Sequence, residues 1–278
     1  MFRPPLAENQ SLSLLEVMYQ VLAEELVERF VEKRIISPKY EVKPSKAVTD
    51  KFSENGKIPV EFLIKSRRKY KTSSFAMLPY TRRLVNRLMQ LDKEGWLGYY
   101  GKIDLWFRNL IEKHPIKGKT IAIYGSRFPW YEAICLNRGA IPFTIEFERP
   151  NCEDSRIKVM THQEVEETKM KFDFALSISS IEHAGFPFYG GPVDANADIE
   201  SMKFIRNHLK RDGKFFFSVP LGLDKVRWPN HRIYGERRFD KLIKGWKIID
   251  SQEFDRKKHL KLDGFGFHSL LLLKKTLF

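Results

Sequence analysis

From Lys117 onward, short runs of β-branched and aromatic residues alternate with segments of helical spacing, and this alternation constrains the fold more than any other feature. "TIAIYGS" reads as a first strand, "PWYEAICLNRGA" as a helix closed by Gly139, and "IPFTIEF" as a second strand. "RIKVM", "FDFALSIS" and "KFFFSVP" read as the third to fifth strands, with the helix "IESMKFIRNHLK" before the fifth. The helix "RRFDKLIKGW" then precedes a sixth strand, "KIIDSQEF", and a seventh, "FGFHSLLLLKK". Strands separated by helices imply parallel pairing with helices on both faces. The last two strands have no helix between them and are expected to pair antiparallel. The expectation for 117–278 is an α/β domain: a doubly wound, seven-stranded, mostly parallel sheet ending in a hairpin.

Residues 1–116 read as a helical, basic extension. Ser13 and Glu16 have capping-box spacing, and Leu15, Met18, Leu22, Leu26 and Phe30 recur at helical intervals. Ser37 to Gly56, with Pro38 and Pro44, reads as loop, and amphipathic segments start at Thr81 and Lys102. The chain has 49 Lys+Arg against 35 Asp+Glu, a net charge of +14. Such a surface attracts nucleic acid, anionic lipid or acidic glycan, and "KSRRKYK" (65–71) is its densest cluster. Two cysteines exclude a disulfide framework and a four-thiolate zinc site. No apolar run of about 18 residues is present and "MFRPPLAENQ" lacks a signal-peptide core, so a soluble chain is expected, cytoplasmic by default and lumenal if an anchor has been removed.

Ligands of such sheets bind at the carboxyl ends of the strands, where strand order reverses. Gly125 and Ser126 follow the first strand, Glu146 ends the second, and Ser179 to His183 follow the fourth. Gly125 allows close backbone approach to a ligand, and Glu146 is placed to accept hydrogen bonds from ribose hydroxyls.

"FDFALSISSIEHAG" and the helix–turn–strand "HLKRDGKFFFSVP" together resemble the class I S-adenosylmethionine-dependent methyltransferases, a Rossmann-like superfamily. The resemblance runs over about Lys117 to Lys275. Departures are the missing glycines of the first loop and Arg211-Asp212-Gly213 in place of Pro-Gly-Gly. "GSRFPWYEAICLNRGA", "SISSIEHAGFPFYGGPVDANADIESMK" and "HRIYGERRF" are similar to an uncharacterised branch of that superfamily. The resemblance implies S-adenosylmethionine as cofactor and assigns Trp130, Tyr131 and Glu132 to the branch's own form of the cofactor loop.

Methyl transfer needs an aligned acceptor, and a hydroxyl acceptor also needs a base. His183, His231 and Asp194 are the candidates. Asp198 reads as a helix N-cap, and no metal ion is expected. Phe186, Phe188 and Tyr189, in the loop 184–198, offer faces for a sugar or a base. The expected reaction is O-methylation of a small-molecule or glycan hydroxyl. The alternatives are a nucleic-acid methyltransferase and an inactive binding protein on the same fold.

Overall fold

The computed structural model describes residues 43–63, 79–189, 191–264 and 266–276. The helix expected near residues 13–30 and the "KSRRKYK" cluster lie outside the described residues.

The described chain opens with helix α1 (Lys46–Phe52) and a short strand β1 (Val60–Phe62). Two amphipathic helices follow, α2 (Arg82–Lys93) and α3 (Lys102–Lys113). Then come β2 (Thr120–Tyr124), α4 (Trp130–Asn137), β3 (Ile141–Glu146), β4 (Lys158–Thr161), α5 (His162–Thr168) and β5 (Phe172–Ile178). Next are α6 (Ala197–Asn207), β6 (Leu209–Ser218), β7 (Pro220–Leu221), β8 (Lys225–Trp228), β9 (His231–Ile233) and α7 (Glu236–Leu242). The chain ends with β10 (Trp246–Gln252), α8 (Arg256–His259), β11 (Phe267–His268) and β12 (Leu270–Lys275).

Seven strands form the main sheet in the order β10-β12-β6-β5-β2-β3-β4. Only β12 runs against the rest, paired antiparallel with both β10 and β6. This is the doubly wound sheet with an antiparallel terminal pair that the strand–helix alternation predicts, but α8 and β11 lie between β10 and β12, where no helix was expected. A parallel sheet must be covered on both faces. Ile121, Ile123, Phe174, Leu176 and Phe216 face a core built with α2, α3 and α4. Ala122, Tyr124, Ala175, Phe215 and Phe217 face the opposite core, closed by α5, α6 and α7. Helices α2 and α3, from the N-terminal region, therefore supply part of one of the two layers, beside α4.

Three further details differ from the sequence reading. The loop expected over Ser37–Gly56 contains α1, capped by the Ser45 hydroxyl on the Val48 N–H. Polar composition hid this helix, whose Phe52 is buried beside Phe186 and Trp228. The helix expected to run through Lys210 stops at Asn207. Pairing between β5 and β6 then jumps from Leu209 to Lys214, leaving 210–213 as an irregularity in the strand where a free turn was expected. Finally, β1 pairs parallel with β8, and Tyr80 bridges Cys152, so the N-terminal region is stitched into the sheet-bearing region.

Candidate active site

Strand order reverses between β2 and β5, and the carboxyl ends of these strands meet. Gly125 leaves β2 at φ +77°, and a Cβ there would overlap the Ser180 hydroxyl. Only glycine accepts both conditions at once. Across the crevice Ser179 is held at φ 49°, a left-handed conformation uncommon for serine, while its N–H donates to Ser218 O at 2.9 Å. Strained non-glycine residues of this kind concentrate at functional sites.

The second strand brings Glu146 to the same edge. Its Oε1 is buried without a hydrogen-bond partner. Burial raises its pKa to about 7, with Arg127 opposing and Glu132 adding to the shift. A buried carboxylate oxygen lacking a donor is costly unless something else supplies one.

Ser126 is placed by its neighbours. Its carbonyl accepts from the Tyr80 hydroxyl, and its own hydroxyl donates to Glu132 Oε2 at 2.9 Å. Glu132 Oε1 accepts from Thr144 at 2.7 Å, and burial raises this carboxyl to about 7. Glu132 is fully buried, so the ligand contact implied by the resemblance is replaced by a framework role: it ties the first loop to β3. Trp130 is corrected likewise. It is 5% exposed, and its Nε1–H donates to Asp104 Oδ2 at 3.0 Å. Tyr131 donates to the other Asp104 oxygen at 2.7 Å. Burial raises the Asp104 carboxyl despite these donors.

Beyond β5, a 3₁₀ turn over Ile181–His183 presents Glu182 and His183. His183 Nδ1 lies 2.8 Å from Asn230 O. A carbonyl only accepts, so the Nδ1–H donates to it, and Nε2 is the ring nitrogen left without that partner. Glu182 Oε1 lies 3.9 Å from that Nε2 and accepts from the Ser179 hydroxyl. Glu182 Oε2 is buried and unpartnered, and burial raises this carboxyl. His231 faces His183 with ring centroids 5.7 Å apart. Burial, then the charges of His183, Arg227 and His268, push His231 down to about 4, so it is neutral near pH 7.

Asp194 is exposed and serves its own loop, its Oδ1 accepting from the Asn196 N–H and its N–H donating to Gly185 O. Asp198 is corrected from N-cap to buried ion: Asn196 occupies the cap position, and Asp198 pairs with Arg238 and Arg232 and accepts from the Tyr234 hydroxyl. Phe186 is 2% exposed, held beside Phe52 and Trp228, and so offers no face to a ligand. Phe188 and Tyr189 remain open at 41% and 55%, with Tyr189 edge-on to His183 and beneath Arg127. Among the described residues no His, Cys, Asp and Glu group has metal-binding geometry. No described helix is long and apolar enough to cross a membrane.

The profile of one sequence family, described as Caenorhabditis protein of unknown function, DUF268, matches residues 118–276. The chain belongs to the DUF268 family. No curated protein matches it. Among solved structures, it is similar to the Burkholderia thailandensis 1,6-didemethyltoxoflavin-N1-methyltransferase with bound 1,6-didemethyltoxoflavin and S-adenosylhomocysteine. That likeness has 18% identity and a TM-score of 0.46, over 69% of this chain and 88% of the other. A Clostridium acetobutylicum S-adenosylmethionine-dependent methyltransferase shares 13% identity at TM-score 0.42, over 68% and 97% of the two chains. The PH0226 protein of Pyrococcus horikoshii shares 10% at 0.46, over 65% and 92%. Two further matches are spanned over only about half their length, 48% and 47%. The doubly wound fold stands on this DUF268 chain's own strand order.

The DUF268 profile starts after the residues that sequence reasoning missed. Tyr100 hydrogen-bonds Ser179, and burial holds its hydroxyl above the usual range. Asp104 gathers Trp130, Tyr131 and the Gly98 N–H, fixing the turn that carries Tyr99 and Tyr100 to the site. A signal for Asp104 did exist: a lone carboxylate on the apolar face of "KIDLWFRNLIEK".

Proposed function

We propose that the chain binds S-adenosylmethionine at the carboxyl edge of β2, β3 and β5 and methylates a hydroxyl of a sugar or glycan. The observation that carries this reading is the crevice at the strand switch point. Gly125 closes it against Ser180, and a buried, unpartnered Glu146 oxygen stands beside it. The residues fit the cofactor. A glycine ending the first strand suits close backbone approach by a nucleoside, and a carboxylate at the end of the second strand suits a ribose diol. Gly125, Ser126, Glu146 and Ser179 would hold it, with Glu132, Trp130 and Tyr131 keeping the loop in shape.

When bound, S-adenosylmethionine supplies a methyl group already electrophilic enough to transfer in line. The chain's task is then to align the acceptor and remove its proton. His183 Nε2, its tautomer set by Asn230 O, takes that proton, and the Glu182 carboxyl 3.9 Å away stabilises the cation formed. His231 stays neutral and shapes the wall. Tyr189, Phe188 and Tyr99, the last 82% exposed, offer faces for the C–H surface of a sugar ring.

The test incubates the protein with methyl-labelled S-adenosylmethionine and separate pools of glycans, RNA, small metabolites and protein. Label in the glycan pool, lost in His183→Ala, is the expected result. Label in RNA alone replaces the acceptor, and a protein that binds no cofactor in calorimetry is a binding module.

A further inference from the structure

We propose that a cleft at the opposite, amino-terminal edge of the sheet binds a ligand carrying two or more phosphoryl groups. The cleft encloses about 470 Å³ between the end of α3, the start of β2 and the irregular start of β6. Five cations line it: Lys113, itself 3.9 Å from Asp250, and Lys119 on one bank, Lys210, Arg211 and Lys214 on the other. Two carboxylates, Asp173 and Asp212, share the lining, and both are already engaged. Asp173 Oδ2 accepts from the Thr120 N–H at 3.0 Å and hydroxyl at 2.9 Å, while Oδ1 pairs with Lys210 at 2.9 Å. Asp212 pairs at 2.9 Å with Lys274, which is outside the lining.

Lys214 Nζ donates to His114 Nδ1 at 3.1 Å, and His114 Nε2 donates to Asp250 at 3.0 Å. The hydrogen bond to His114 fixes the position of the Lys214 ammonium at the cleft. The cations lie on separate elements around one cleft, and linked phosphoryl groups present several negative oxygens to both banks at once. Arg211 adds a planar fork suited to bidentate phosphate contact. It stands where the methyltransferase resemblance leads one to expect the proline of a Pro-Gly-Gly turn. The irregular pairing of 210–213 presents it at the edge. This site is remote from the carboxyl edge and stands independently of the methyl-transfer reading.

Calorimetric titration of the full chain with pyrophosphate and with inorganic phosphate tests it. Pyrophosphate is expected to bind tighter than phosphate by about tenfold or more, with affinity falling as salt rises. Both Lys119 and Arg211 are exposed, so Lys119→Glu with Arg211→Glu should fold and lose at least about tenfold in affinity. A charge-matched control, Lys57→Glu with Lys158→Glu, also exposed, should stay within about twofold. Absence of pyrophosphate binding, or equal losses in the two double variants, overturns the proposal. A single-stranded RNA displaced by pyrophosphate identifies a nucleic-acid backbone as the source of the phosphates. RNA bound without displacement assigns the cleft to a small diphosphate.

Discussion

His183 Nδ1 lies 2.8 Å from the carbonyl oxygen of Asn230, a residue 47 positions further along the chain. The turn between β8 and β9 thus decides which ring nitrogen faces the crevice. If Nε2 is the base, His183→Ala should lower turnover by about a hundredfold or more while cofactor affinity stays within about twofold. His231→Ala should cost less, since that ring only borders the site. Steady-state kinetics beside calorimetry separates the two. A His183 variant at full rate would move the base elsewhere.

Glu146 predicts a pH dependence of cofactor binding. Its carboxyl, raised by burial to about 7, accepts ribose hydroxyls best when ionised. Affinity should therefore plateau above about pH 8 and fall by up to about tenfold per unit below 7. Glu146→Gln should flatten that profile and weaken binding at pH 8, as read by titration across pH.

Gly125→Ala tests the cradle. The added methyl meets both a positive φ and the Ser180 hydroxyl. A stability loss of about 1–3 kcal/mol in urea unfolding is expected, together with loss of cofactor binding. Gly118, also at positive φ but with open space around a Cβ, is the control: alanine there should cost only about 1 kcal/mol and leave binding intact.

Glu132 links stability to pH through a raised folded-state pKa. The carboxyl moves from 4.5 to about 7 on burial, so its contribution is fully present below about 4.5 and is lost as pH rises through 7. Glu132→Gln keeps partners for Ser126 and Thr144 without a titrating charge. Thermal unfolding at pH 5 should barely distinguish the variant. At pH 8.5 the variant should be the more stable, by an amount on the order of 3 kcal/mol.

Asp198 predicts a penalty for breaking a buried ion cluster. Arg232 and Arg238 are 2% and 3% exposed, and both reach Asp198 and the Ala195 carbonyl. Asp198→Ala leaves two guanidinium groups facing only Glu54, which pairs with Arg238 at 3.1 Å. A loss of about 3–5 kcal/mol is expected in denaturant unfolding. Proteolysis should then cut the loop 184–198 earlier than in the wild type.

The sheet was legible because β2, the end of β6 and the start of β12 carry apolar runs (IAIY, FFF and LLLL), and the Gly125 crevice because glycine ending such a run has few other uses. Asp198 was misread because its partners lie 34 and 40 residues further on, and spacing alone carries no trace of them. Trp130 and Glu132 were read as ligand contacts because adjacency to the loop is visible in sequence while depth is not. Tyr100 comes from a turn whose only local signal is glycine, and its place beside Ser179 depends on the packing of α3 against the sheet.

The parallel pairing of β1 with β8 has a consequence for how the chain is made. Glu61 meets Arg227 across 166 residues, so the first described strand leaves the ribosome long before its partner exists. Helices α2 and α3 likewise emerge ahead of the sheet face they cover. Contacts of such separation close loops slowly and leave apolar surface waiting in the meantime. The segment that the family profile matches, 118–276, is therefore smaller than the unit that must condense. Begun at residue 118, the chain would be synthesised with one face of its sheet covered by α4 but without α2 and α3.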